Sequence, residues 1–278
     1  MNKASSKLYL ALRWVILLAV LVAIYLPLLM IIVYSFSTSQ SVGGSFGDFT
    51  FRLYGKLFEN TKMLSALKNT LIIGLASAAL ATVFGTTASV GIHYMRKRIK
   101  SAVETASQIT VVNAEIVTAT GFFLLMICLR DTVKMPINFS IWWLIITHTV
   151  ITTPYVILTV TPRLKQLNPN LLEASMDLGA GPMRSLFTVM LPQLAGAMVS
   201  GFALAFTLSL DDFVVTNINS FGANIDTIST YIYSGIRKKG IPIEIRALST
   251  IIFVVVLTAL IVYNVVKNKR AKEQAKKA

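Results

Sequence analysis

Six long apolar runs punctuate the chain, at residues 14–34, 71–93, 109–129, 141–160, 194–210 and 247–266, and the segments between them carry nearly all of its charge. Each reaches or approaches the ~20 residues that cross a hydrocarbon layer roughly 30 Å thick at about 1.5 Å per residue. Inside a bilayer every backbone polar group must find its partner within the segment, so runs this continuous predict helices and not barrel strands. The pattern predicts an all-α polytopic membrane protein with six transmembrane helices, forming a single domain over residues 1–278. Composition strengthens this: 55% of residues are hydrophobic and 14% charged, and the mean hydropathy is +0.69, far from the soluble average.

Charge adds orientation. Of 26 Lys and Arg, 16 fall in the N-tail, the second and fourth loops and the C-tail. The Arg96-Lys97-Arg98 cluster and the Lys267–Lys277 tail abut their helices closely. The positive-inside rule therefore puts both termini in the cytoplasm. The net charge of +14 is the sum of these flanks and reads as contact with anionic lipid headgroups. No aromatic-interleaved basic surface accompanies it, which argues against nucleic acid. Lys3, Lys7 and Arg13 ahead of the first run resemble a signal peptide, but the run is long and Ser35-Phe36-Ser37-Thr38 offers no cleavage pattern, so an uncleaved first helix is expected. Cys128 is the only cysteine, which excludes a disulfide framework and a thiolate metal site.

The fourth loop, 161–192, differs from a plain connector. Asn168-Pro169 predicts a helix start, with Asn capping and Pro at the first helical position. Leu171, Ala174 or Ser175, and Leu178 then share one face. Gly179 and Gly181 supply a stop, and Pro182 opens a second short helix expected to end near Leu191-Pro192. Glu173 and Asp177 lie four apart, where like charges cost a few tenths of a kcal/mol, ~0.2–0.5, unless something basic faces them. Glu173 also suits the positive helix N-terminus, but Asp177 lies at the wrong end for that explanation. A groove on a partner protein accounts for both.

The residues Glu173-Ala174-Ser175-Met176-Asp177-Leu178-Gly179, followed after nine residues by Val189-Met190-Leu191-Pro192, resemble the coupling segment of type I ABC-importer permeases, with Ser in place of the second Ala and Val in place of Ile. Phe206-Thr207-Leu208-Ser209-Leu210-Asp211-Asp212-Phe213, Pro242-Ile243-Glu244-Ile245-Arg246 and Tyr25-Leu26-Pro27-Leu28 are similar to stretches of spermidine/putrescine permeases of the PotC type. The resemblance implies an alternating-access permease for polyamines, with Glu173, Ala174, Ser175, Asp177, Gly179, Leu191 and Pro192 forming the coupling loop. It further implies separate ABC ATP-binding subunits that hold ATP and Mg, a second and different permease subunit, and an extracytoplasmic polyamine-binding protein. A permease for another solute, such as ferric ion, thiamine or an aminophosphonate, is the alternative, and a non-transporting membrane scaffold is a second.

The remaining chemistry is sparse. No phosphate-binding Gly-x4-Gly-Lys-Ser/Thr loop occurs, so energy must come from another chain and no cofactor is expected in this one. His93 and His148 are too few for a metal centre, and no nucleophilic grouping suggests an enzyme. Glu115, about seven residues into the third run, together with Asp211 and Asp212 at the end of the fifth, could line a path for a polycation. Carboxylates at membrane depth are expensive unless they face a cavity or partner. The alternatives are a packing role for Glu115 and a helix-end bond for the aspartates. Tyr155, Trp142 and Trp143 could offer aromatic faces to ammonium groups, although paired Trp also anchor membrane interfaces. Pro154 removes a backbone bond from the fourth helix and predicts a kink. The outer loops around 35–67 and 211–246 serve either as a docking surface or as solvated connectors.

Overall fold

The computed structural model describes residues 3–39, 45–168, 170–238 and 242–277. The helices are α1 (Lys3–Tyr34), α2 (Arg52–Glu59), α3 (Thr61–His93), α4 (Lys97–Val112), α5 (Glu115–Ile127), α6 (Ile141–Gln166), α7 (Leu171–Asp177), α8 (Pro182–Ser185), α9 (Leu191–Asp211), α10 (Val214–Asn219), α11 (Ile228–Lys238) and α12 (Ile245–Lys277). Short π-helical segments follow α5 at Cys128–Thr132 and α8 at Leu186–Met190. No strand occurs among the described residues; the sole β-type pairing there is an isolated bridge between Ser37 and Phe49.

Four helical stretches are long and apolar enough to cross a membrane: Leu12–Tyr34, Thr61–His93, Ile141–Gln166 and Pro182–Asp211. A fifth span results if the pair Lys97–Val112 and Glu115–Thr132 is taken together, but this pair is bent by 101°. Ile245–Thr258 is a shorter apolar helix. The expected third span, 109–129, is therefore divided. Asn113 is extended, with φ −66° and ψ 143°, which ends α4, and Glu115 becomes the first residue of α5 instead of lying two turns inside a helix. The break places an acid in the first turn, where it complements the unpaired N–H groups.

The chain divides into two compact units, Met1–Leu64 with Ser234–Ala278, and Ser65–Tyr233. In the first, α12 packs on α1 and α2. The segment after α1 is held by aromatic rings: Phe36 stacks on Phe49 with centroids 5.5 Å apart, and Phe51 and Tyr54 close the cluster. Ser37 Oγ donates to the Phe46 carbonyl, and Arg246 Nη1 donates to the Ser39 carbonyl at 2.9 Å.

The second unit is built on α6 packed along α9. Its core joins Ala78 and Ala81 of α3 to Val156, Val160 and Leu164 of α6 and Leu194 and Ala205 of α9. Small residues permit this because membrane helices gain little from hydrophobic exclusion and associate by close van der Waals fit. Val156 sits between two glycines. A Cβ on Gly85 would lie 2.6 Å from Val156 Cβ, and one on Gly201 would lie 3.1 Å from Val156 Cγ1. Around Pro154 the helix is lined with hydroxyls that return to preceding carbonyls, Thr152 to His148 at 2.7 Å and Thr153 to Thr149 at 2.6 Å.

Candidate functional site

Two sites lie within the Ser65–Tyr233 unit. The first is the fourth loop. Asn168 is not the cap of α7: its Oδ1 accepts from Asn170 N–H at 3.0 Å, and the helix begins two residues later than expected, at Leu171. Pro169 lies outside the described residues. At the other end, Gly179 N–H donates to the Met176 carbonyl at 2.9 Å and Ala180 N–H to the Ser175 carbonyl at 3.2 Å. With Gly179 at φ +87°, this is a Schellman stop, and its left-handed residue is the one that glycine adopts without strain. Ser175 Oγ shares a 2.9 Å hydrogen bond with Ser185 Oγ. The serine that departs from the resembled motif thus pins α7 to α8, and Ser185 is fully buried.

Helical spacing puts Leu178 on one face with Leu171 and Ala174 or Ser175. Helical geometry ends at Asp177, so the face does not extend that far, and Leu178 is 90% exposed with Met183 and Phe187 also uncovered. Glu173, Ala174 and Asp177 are likewise exposed. Glu173 borders a cavity of about 230 Å³ that also involves His93, Tyr94 and Gln193. Burial, followed by the Glu173 carboxylate, pushes the Tyr94 phenol above its ordinary pKa. The second arm does not stop at Leu191-Pro192. Pro182–Asp211 is one continuous helical stretch, in which a π turn at Leu186–Met190 leads directly into α9, and Pro192 sits in the first turn of α9, the helix position proline tolerates.

The second site is a small cleft of about 40 Å³ between α5, α6, α9 and α10. Its lining includes Glu115, Tyr155, His148, Ser209 and Asp212. Of the four candidate path residues, Glu115, Asp212 and Tyr155 meet here, whereas Asp211, exposed at the end of α9, is not among the lining residues. The two acids inside differ. Glu115 is exposed and makes no hydrogen bond or ion pair among the described residues. Asp212, with its side chain 8% exposed, accepts from Val215 N–H at 3.2 Å on Oδ1, and from Thr216 N–H at 2.9 Å and Thr216 Oγ1 at 3.0 Å on Oδ2. It caps the start of α10, which satisfies N–H groups that the helix leaves open.

A buried histidine adjoins it. His148 Nδ1 lies 2.7 Å from Ser209 Oγ, Nε2 lies 3.1 Å from Thr216 Oγ1 and 3.5 Å from Asp212 Oδ2, and Ser77 Oγ donates to Ser209 Oγ at 3.1 Å. A neighbouring bond runs from Trp143 Nε1 to Asn219 Oδ1 at 3.1 Å, and Asn219 Nδ2 donates to the Ala119 carbonyl at 3.0 Å. Trp143 is therefore a core residue that ties α6 to α10, while Trp142 is 72% exposed; the pair is not one interfacial anchor. The sequence weighs His148 only as one of two histidines too few for a metal centre, and does not single it out. The available signal was its surroundings, for Thr147, Thr149, Thr152 and Ser209 make its helical neighbours polar within apolar runs. Among the described residues, no group of three or more His, Cys, Asp or Glu could hold a metal ion.

Comparison with known proteins agrees with this architecture. Residues 2–268 match the family model for binding-protein-dependent transport system inner membrane components. The putrescine transport system permease protein PotI of Escherichia coli (strain K12) is 34% identical over 241 residues, covering 86% of this chain and 85% of that protein. The spermidine/putrescine transport system permease protein PotC of the same organism is 31% identical over 254 residues, covering 91% and 93%. A solved bacterial ABC transporter involved in import of the acidic polysaccharide alginate superposes with a TM-score of 0.71 at 17% identity, over 96% of this chain and 98% of that one, a likeness of fold. The chain belongs to the family of binding-protein-dependent transport system inner membrane components, the permease subunits of ABC transporters.

Proposed function

We propose that the chain is the transmembrane permease subunit of an ATP-driven importer of polyamines, putrescine and spermidine. The observation that carries this is the 34% and 31% identity, over most of both chains, to two permeases named for those amines. The cleft chemistry is compatible. Polyamines present only ammonium groups and methylenes, and carboxylates with an aromatic face are what can hold them. At about 40 Å³ the cleft admits little more than water, each molecule needing roughly 10–15 Å³ of such space, so Glu115, Asp212 and Tyr155 act as a stretch of path along which an ammonium passes. Asp211 adds negative potential at its mouth.

In this reading the chain crosses the bacterial inner membrane six times with both termini in the cytoplasm, the bent α4–α5 pair and α12 supplying the third and sixth spans. ATP and Mg are held by separate ATP-binding subunits that grip the α7–α8 hairpin. A second, different permease chain completes the pore, and an extracytoplasmic binding protein delivers substrate. The exposed Leu178, Met183 and Phe187 support the docking role, since apolar side chains clustered at a polar surface mark interaction sites.

The test is uptake of radiolabelled putrescine and spermidine by cells lacking their own polyamine import and carrying the complete transporter. Wild type should accumulate both. Glu115→Gln and Asp211→Asn, at normal expression, should lower uptake, with the larger loss at Glu115. Undiminished uptake in both variants would refute the cation path.

A further inference from the structure

The buried histidine beside the acids has no part in the reading above, yet its hydrogen bonds run in one direction. Thr216 donates its hydroxyl hydrogen to Asp212 Oδ2, so its oxygen can only accept from His148 Nε2. With Nε2 the donor, Nδ1 of a neutral imidazole is an acceptor, and it takes the hydrogen of Ser209. Ser209 in turn accepts from Ser77. From Ser209 on α9 each member donates once toward the next, through His148 on α6 to Thr216 and Asp212 at the start of α10; behind Ser209 stands Ser77 of α3, whose single hydrogen is shared between Ser209 Oγ at 3.1 Å and the Gly74 carbonyl at 3.2 Å. Ser77, His148, Ser209 and Thr216 are all buried, where an unpaired polar group is costly and a satisfied chain fixes one arrangement. Asp212 Oδ2 also lies 3.5 Å from Nε2 directly, and Tyr155 and Glu115 line the same cleft.

We propose that His148 is a positioning residue for cation passage. Through Thr216 it holds the Asp212 carboxylate in one orientation at the cleft. Among the described residues Asp212 Oδ1 accepts only once, and a carboxylate oxygen can accept twice, so the fixed group keeps capacity for a passing ammonium. Glu115, which has no hydrogen bond or ion pair among the described residues, is the second acid of the same cleft and is not held in this way. The roles of the two acids are thereby separated: one is set by the hydrogen-bond chain, the other is not.

This assignment rests on the polyamine reading, and the experiment separates the two. In the complete transporter, uptake of putrescine and of spermidine is measured side by side for His148→Asn, His148→Gln, Thr216→Val and Thr216→Ser. Glutamine places an amide N–H where Nε2 was, whereas asparagine reaches only the Nδ1 position. Serine keeps the hydroxyl and valine removes it. His148→Asn and Thr216→Val should lower uptake about tenfold, the scale of one lost charge-assisted hydrogen bond. The ratio of spermidine to putrescine uptake should fall, because the more highly charged amine depends more on a fixed carboxylate. His148→Gln and Thr216→Ser should keep the wild-type ratio. The double variant His148→Asn/Thr216→Val should be no worse than either single one, since both cut the same chain. The ratio is indifferent to how much protein folds, so a purely structural role for His148 would leave it unchanged. Wild-type uptake with an unaltered ratio in His148→Asn, or equal losses in His148→Gln and His148→Asn, overturns the assignment alone. A wild type that takes up neither amine overturns the polyamine reading and the assignment with it.

Discussion

Gly85→Ala is the substitution whose consequence can be worked furthest from the packing of α3, α6 and α9. The added methyl would stand 2.6 Å from Val156 Cβ, 2.7 Å from Val156 Cγ1 and 3.2 Å from the Thr153 carbonyl oxygen. Carbon atoms rest at about 3.5–4.0 Å, so α3 and α6 must part locally by roughly 1 Å. No rotation of Val156 relieves this, because the nearest atom is its Cβ, and retreat is blocked on the far side by Gly201 of α9. The cost falls toward the upper end of the ~1–3 kcal/mol typical of overpacking. Gly201→Ala should cost less, since its closest neighbour is Cγ1 at 3.1 Å, which a rotamer change can move. The second-site behaviour is diagnostic. Val156→Ala removes Cγ1 and should restore Gly201→Ala, yet it leaves Cβ in place and should not restore Gly85→Ala, whereas Val156→Gly should. Midpoints of thermal unfolding in detergent, followed by size-exclusion fluorescence, measure all of these. A Gly85→Ala midpoint within about a degree of wild type, or full rescue by Val156→Ala, would refute the argument.

Two further outcomes follow from the same structure. Leu178→Asn removes a side chain that is 90% exposed, so the unfolding midpoint should hold within the ~0.5 kcal/mol typical of surface changes; retention of the ATP-binding subunits through purification should drop, by roughly 10-fold or more if docking buries this leucine, and unchanged retention would count against the docking role. Trp143→Phe keeps an aromatic side chain but loses the pyrrole ring and with it the donor to Asn219, whose side chain is fully buried; stability should fall by at least the ~1–3 kcal/mol of a buried polar group left unpaired, and a neutral result would mean that Asn219 finds another partner.

Particular residues show why some of this was legible in the sequence and some was not. Gly179 marks its own conformation, because a left-handed stop is what glycine supplies, and the hairpin followed from that and from Pro182. The division of the third span was hidden, for Val112-Asn113-Ala114 contains neither Pro nor Gly, and apolar residues continue on both sides. Pro192 misled in the opposite direction, since the helix runs on through it from the π turn at Leu186–Met190 into α9. Periodicity put Leu178 on the face of Leu171 by extending the helix one residue beyond its last turn at Asp177. Asp212 was singled out as a path residue, but its role as a cap needed the position of α10. His148 needed three helices brought together before its two nitrogens had partners to name.

The uninterrupted stretch Pro182–Asp211 has a mechanical consequence. At about 1.5 Å per residue its 30 residues make a rod roughly 45 Å long, with the pinned hairpin at one end and Asp212 immediately past the other. A tilt of ~5° imposed at the hairpin sweeps the far end through about 4 Å, more than a hydrogen bond can stretch. The Ser175–Ser185 hydrogen bond ties the hairpin together at the near end of this helix, ahead of the π turn at Leu186–Met190. The hairpin and the Asp212 carboxylate thus stand at opposite ends of one continuous helix, so that under the proposed coupling a displacement at the first would be carried to the second.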